Sequence, residues 1–269
     1  MDDEILYQGP GYTIARIHKP ETMIPYGPSG ARPDGTRNYG WVDLRGRPDL
    51  VSGIKEAADS TALQAVLREL AAPGSPILSS GCEHHAFDRG ENDPSGFRWQ
   101  SGAFVVTAFD DGRLNRSAEN HIALAKEIWD NIAAPVTWRV PMQYELTIEP
   151  LKTFFGQSDC HCLMLKALGY GQSKDQANAS MEAALHMLAA SLREVQSKIA
   201  FQNAWHLTVS CLNPSCQQPI PIEIEPSAEG TMLVWEDLPT KLPIRCPSCG
   251  ITGEYHPRQV RRGKAIPTQ

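Results

Sequence analysis

The chain has 269 residues, of which 41 % are hydrophobic and 21 % charged, and its formal net charge is −6. That length accommodates one large domain or two ordinary ones, and the composition is that of a protein with a packed core, not of a disordered or collagenous chain. The negative balance argues against general nucleic-acid affinity for the whole chain, and no run approaches the roughly 18 apolar residues that cross a membrane.

The amino terminus, Met1-Asp2-Asp3-Glu4, is acidic where a secretory signal is basic and then apolar, which reads as a cytoplasmic protein. In a reducing compartment the seven cysteines read as metal ligands or buried thiols, not as disulfides. Charge is spread unevenly. Residues 201–269 hold six acidic and six basic residues, so the whole deficit belongs to residues 1–200.

Residues 1–47 read as an extended, irregular arm. Tyr12–Ile17 alternates like a short strand, but Pro20, Pro25, Pro28 and Pro33 break anything longer. An α+β body is expected over 48–204. Pro48 suits a first helical turn, and Ser60 caps a helix whose Leu63, Val66, Leu67 and Leu70 share one face, ended by Pro73-Gly74. Ile77–Cys82 reads as a strand and Phe97–Phe109 as a better one, with Asp110-Asp111-Gly112 as a turn. Ser117 opens a helix carrying Ile122, Ala125, Ile128, Trp129 and Ile132, which stops before Pro135. Tyr144–Glu149 alternates as a half-buried strand, and His161–Leu168 is a more apolar one. Ser173 and Gln176 form a capping box for a long helix bearing Ala177, Met181, Leu185, Leu188, Leu192, Val195 and Ile199. Trp205–Val209 is a last strand that runs into Cys211. From residue 97 the order is strand, helix, strand, strand, helix, strand. It is the order of a ferredoxin-like βαββαβ core with two helices on one face of an antiparallel sheet.

Residues 205–260 carry the strongest chemical signal. Cys211-Leu-Asn-Pro-Ser-Cys216 and Cys246-Pro-Ser-Cys249-Gly250 are two cysteine pairs with 29 residues between them. A short turn between paired cysteines aims both thiolates at one ion, and two such pairs supply the four soft ligands that zinc takes in a tetrahedron. Gly250 gives the backbone its left-handed turn after the last ligand. Between the pairs, Ile220–Glu225 and Met232–Trp235 read as a hairpin around Glu229-Gly230, and Leu242–Arg245 leads back into the second pair. The segment resembles a zinc ribbon, although its first knuckle has four residues between the cysteines where two are commoner. Four thiolates leave no open coordination position, so the expected role of one zinc at Cys211, Cys216, Cys246 and Cys249 is structural.

Other metal-capable groups are Cys82, His84, His85 and Asp88, and the pair Cys160 and Cys162, which share one side of a strand. The plainer reading makes these cysteines buried small residues and these histidines ordinary strand or loop residues. Asp110 and Asp111 fit a turn better than a catalytic dyad, and Gly169-Tyr170-Gly171 fits a strand-to-helix turn better than an anion site. No phosphate loop, nucleophile elbow or HExxH occurs. In the basic tail, placed at 261–269, and just before it, Arg258, Arg261, Arg262 and Lys264 suit contact with a macromolecule. The expectation is a non-enzymatic interaction or scaffold protein whose ribbon contacts a macromolecule, a protein partner first. Nucleic-acid binding through ribbon and tail is one alternative, and a metalloenzyme around Cys82, His84 and His85 is another. No membrane contact is expected. A homo-oligomer in which the arm, with Tyr26, Tyr39 and Trp41, wraps a neighbour also fits the sequence.

Overall fold

The computed structural model describes residues 4–18, 22–30, 38–91, 93–133, 141–203, 205–217, 219–225, 241–246, 249–256, 259 and 261–264. The chain divides into two compact units, 1–196 and 197–269.

Seven strands form the sheet of the larger unit: β1 (Glu4–Gly9), β2 (Tyr12–Arg16), β3 (Thr22–Ile24), β4 (Ile77–Asp88), β5 (Trp99–Phe109), β6 (Met142–Phe154) and β7 (Cys160–Gly171). Their order is β1-β2-β6-β7-β5-β4, and β3 extends the line of β2 along β6. Three α-helices accompany them: α1 (Thr61–Leu70), α2 (Ala118–Ala133) and α3 (Lys174–Asn203). Strict alternation sets the layers. Ala103, Val105, Tyr144, Leu146, Ile148, Leu163, Leu165 and Ala167 point to the helix side and are fully buried, whereas Phe104, Val106, Glu145, Thr147, Met164 and Lys166 on the other face are half-buried.

Specific contacts seat the helices on that face. A side chain at Gly169 would place its Cβ 2.3 Å from the Met181 backbone nitrogen, so glycine is what lets α3 approach β7. This close packing, rather than an anion, accounts for Gly169 and its neighbour Gly171. The Tyr144 hydroxyl donates to the Ala184 carbonyl at 2.8 Å, and Ser191 donates to the Ile128 carbonyl at 2.8 Å, tying α3 to the sheet and to α2. Ser60 caps α1 by accepting the Leu63 N–H at 3.0 Å; at the start of α3, Ser173 accepts the Gln176 N–H at 3.3 Å as expected, while the Gln176 side chain accepts the N–H of Gln172 at 2.9 Å, one residue before the one a capping box uses.

The α+β class is as expected, and β5, β6 and β7 take the order anticipated for a split βαβ unit, with β7 between β5 and β6. The fourth strand does not. That position beside β5 is filled by β4, which precedes it in the chain, whereas β8 (Trp205–Ser210) belongs to another sheet in the smaller unit. The βαββαβ connectivity is therefore replaced by one in which the edge strand arrives from the amino-terminal side. β4 is also longer than Ile77–Cys82 and runs to Asp88. The expected irregular arm is corrected as well. Its residues 4–24 supply β1, β2 and β3, and Ile24 and Trp41 pack on Cys160, Cys162, Leu151 and Phe154 across the face that the helices leave open. No helix among the described residues is long and apolar enough to cross a membrane.

Candidate metal centre

In the smaller unit, β8 pairs antiparallel with β9 (Pro219–Glu225), and β10 (Leu242–Arg245) pairs with β11 (Thr252–Tyr255). Each pair is a hairpin whose closing loop contains one pair of cysteines: 211–218 in the first, 246–251 in the second. Strand registers thus fix where the thiols sit. Ile220–Glu225 forms the expected strand but pairs with β8, and the anticipated partner Met232–Trp235 lies outside the described residues.

The sulfurs of Cys211, Cys216, Cys246 and Cys249 all lie within 4.8 Å of one another. Cys211 and Cys249 are 3.6 Å apart, and Cys216 and Cys246 are 3.8 Å apart. A disulfide would need about 2.05 Å. Four sulfurs set about 2.3 Å from a central ion stand about 3.8 Å apart along the edges of a tetrahedron, so the spacing fits a shared metal ion. Cys211 and Cys246 are buried, and with Val209, Ile220 and Tyr255 they form the core of this unit. Tyr255 lies beneath the site and accepts the Leu212 N–H at 3.2 Å.

The two loops share a turn. Gly250 donates to the Cys246 carbonyl at 2.9 Å, and Gln217 donates to the Asn213 carbonyl at 3.0 Å. Both donors have positive φ, +74° at Gly250 and +47° at Gln217. Asn213-Pro-Ser-Cys216-Gln217 is thus the counterpart of Cys246-Pro-Ser-Cys249-Gly250, with Asn213 standing where the first cysteine of a knuckle stands. The ligand has moved two residues back to Cys211, whose sulfur accepts the Asn213 N–H at 3.4 Å. The wide spacing of the first pair therefore preserves the turn and changes only the point from which the first thiol arrives.

Electrostatics separate the thiols when no cation compensates them. The Ile251 N–H, with the Asn213 side chain and neighbouring thiols, holds Cys249 down to about 6. The Asn213 N–H favours the Cys211 thiolate, but burial and the three other sulfur groups override it and push Cys211 up to about 12. Four thiolates cannot stand together without a cation, which a divalent metal supplies.

The remaining sequence-derived candidates do not gather. Among the described residues the four-cysteine cluster is the one group placed to hold a metal ion. Cys82 and His84 lie on the helix side of β4, whereas His85 lies on the opposite side against Gly102. Asp88 is bound to Arg98 at 2.9 Å at the strand's exposed end. Cys160 and Cys162 are buried in the apolar cluster beneath Ile24. Strand alternation divides these residues, so the site around Cys82, His84 and His85 is not formed. Asp111 closes its turn on Arg113, and Asp110 pairs with Arg45, which leaves no carboxylate dyad. Arg261, Arg262 and Lys264 lie on β12 (Arg261–Lys264), which pairs with β8, so the predicted tail begins as a strand; Arg258 lies outside the described residues.

Sequence reasoning missed Asn213 and Ile251. Aligning Asn-Pro-Ser-Cys with Cys-Pro-Ser-Cys reveals the first; the second has no sequence signal, because it acts through a backbone N–H. Tyr255, an aromatic that the sequence offers for stacking on nucleic acid, is instead buried in the core of the unit. Family models, curated proteins and solved structures give no match to this chain.

Proposed function

We propose that the smaller unit is a zinc ribbon holding one structural zinc ion at Cys211, Cys216, Cys246 and Cys249, and that the chain is an interaction protein whose ribbon contacts a macromolecule. The observation that carries this reading is the closed set of four cysteine sulfurs at tetrahedral spacing. Such a set leaves no coordination position for water or substrate, which favours structure over catalysis at the ion. Zinc is the preferred ion because thiolate ligands in a tetrahedron suit it and it brings no redox chemistry.

Elemental analysis of protein purified without added metal, beside Cys246→Ser, tests the metal. One zinc per wild-type chain and none in the variant is expected; iron or no metal overturns the assignment. Affinity capture with both proteins tests the role. Partners held by the wild type and lost from the zinc-free variant support contact through the ribbon, whereas an unchanged set refutes it.

A second reading has its own support. The tail's Arg261, Arg262 and Lys264 all fall on β12, a strand whose backbone pairs with β8. Nucleic-acid binding there predicts that affinity for a labelled oligonucleotide, read by anisotropy, falls steeply between 50 and 200 mM salt, by on the order of tenfold for each pair of phosphates contacted. Arg262→Ala with Lys264→Ala should flatten that slope.

A further inference from the structure

Two unfavourable features meet at one contact in the larger unit. The chain leaves β6 through a tight turn at Phe155-Gly156, and Phe154 and Gln157 on either side exchange backbone hydrogen bonds at 2.8 and 2.9 Å. A two-residue turn with positive φ at both central positions ordinarily takes Asn-Gly. Here φ is +46° at Phe155 and +80° at Gly156. A phenylalanine in the left-handed region is strained, and such strain persists only where surrounding contacts hold it.

Beyond the neighbouring Phe154, the ring contacts that hold it come from the segment Gly40-Trp41-Val42-Asp43-Leu44-Arg45-Gly46. Trp41 meets Phe155 edge-on with ring centroids 5.3 Å apart, and the Arg45 guanidinium lies 5.1 Å from the centre of the Phe155 ring. Arg45 is itself paired with Asp43 at 2.7 Å and Asp110 at 3.3 Å. The second unfavourable feature lies in Trp41. Its indole Nε1–H is buried and has no hydrogen-bond partner, a loss that water would make good.

Little else fastens this segment to the sheet. Among the described residues, no backbone hydrogen bond joins 40–46 to the seven strands, and the Trp41 N–H goes to the Tyr26 carbonyl at 3.0 Å. Packing beneath it is incomplete. A cavity of about 70 Å³ is lined by Gly40, Trp41 and Leu44 together with Leu67 of α1 and Ser80 and Cys82 of β4. At its two ends Gly40 and Gly46 have φ of +96° and +66°, and open space surrounds Gly46. Small residues in loops are where hinges absorb changes of φ and ψ.

We propose that residues 40–46 are a strap that lifts from the sheet while the rest of the larger unit stays folded, and that Phe155 is its catch. Closed, the strap packs Trp41 on the cluster containing Cys160 and Cys162, at the cost of a strained Phe155 and an unpaired indole. Open, it relieves both costs and exposes apolar surface, so the two states compete. The device is separate from the metal centre and stands whether or not the ribbon reading holds.

Hydrogen exchange of the full chain, followed by NMR, tests it. The indole and backbone N–H groups of Trp41 should exchange at least about a hundredfold faster than the amides of Leu146 and Leu165. Their rates should not respond to low urea, because a local opening exposes little surface. Phe155→Gly separates a catch from a plain turn residue. Glycine accepts positive φ without strain, so at a plain turn position it would slow Trp41 exchange or leave it unchanged. Loss of a catch predicts Trp41 exchange about tenfold faster relative to Leu146 and Leu165. The proposal is overturned if Trp41 matches those two amides in rate and urea dependence, or exchanges as fast as in an unfolded peptide. It is overturned too if Phe155→Gly leaves the Trp41 rate, relative to Leu146 and Leu165, unchanged or lower. Should the variant not fold, the wild-type rates decide alone.

Discussion

The larger unit buries Leu163, Leu165, Ile148, Tyr144 and Val105 beneath three helices, and its sheet is continuous from β1 to β4. The smaller unit's buried cluster is Val209, Cys211, Ile220, Cys246 and Tyr255, so two of its five members are thiols. The first is an apolar core of the usual kind, worth about 1.5–3 kcal/mol for each large side chain withdrawn from water. The second gathers fewer large apolar side chains among the described residues, and its four thiols are placed so that one shared ion could hold the two hairpins together. The same chain thus contains one core built on area and one unit built around four sulfur atoms.

The sharpest way to break that comparison is to remove the ion. Metal ligation contributes on the order of 10 kcal/mol to small zinc peptides. Chelation, or Cys246→Ser, should collapse the amide spectrum of 205–256 while signals from 4–196 persist; loss of both regions together would show that the units do not fold independently. The converse is Leu163→Ala, which leaves a cavity beneath α2 and should destabilise the larger unit by about 2–5 kcal/mol with metal content unchanged, measured by urea unfolding.

A pH effect that needs no metal is expected of the larger unit. His121 on α2 is fully buried, and neither ring nitrogen reaches a partner at hydrogen-bond geometry. Burial, and to a lesser degree the neighbouring His161, holds its pKa down to about 3, although the His161 backbone favours the proton. The unfolded chain therefore takes up a proton near pH 6.5 that the folded protein refuses until about 3, and stability falls as pH drops through that window. By pH 5 the loss from this residue is about 2 kcal/mol. Urea midpoints at pH 7 and 5 should differ less in His121→Phe than in the wild type; equal differences would show that His121 does not carry the effect. The smallest expected change sharpens the other half. Asn213→Ala removes one donor from Cys249 and should weaken zinc affinity about tenfold in competition with a chelator, without losing the stoichiometry.

Much of this was legible in the residues, and the failures share a cause. Apolar period and caps located β5, α2, β6, β7 and α3, because those signals are local. Which strand neighbours which is not local. Trp205–Ser210 looks like any half-buried strand, and nothing in its pattern says that it pairs with β9 and not with β5. Tyr12–Arg16 gave a strand signal, yet its parallel pairing to β6 is made across more than 120 residues, and the prolines nearby masked it. The cysteines were legible because spacing within a tight turn is itself geometry. Cys82, His84 and His85 were grouped by nearness in sequence, which a strand undoes by turning adjacent residues apart.

Placing each cysteine pair within a hairpin loop also dictates the order of assembly. Partners three and five positions apart meet quickly, so an arriving ion is first held by two sulfurs of one loop. Completion must then close the 29-residue stretch between the pairs, at an entropic cost of about 3 kcal/mol. Because that cost grows only logarithmically, doubling the stretch would add roughly 0.6 kcal/mol. Chain entropy therefore penalises a longer connection little, and a passenger sequence inserted between the hairpins should leave the metal centre intact.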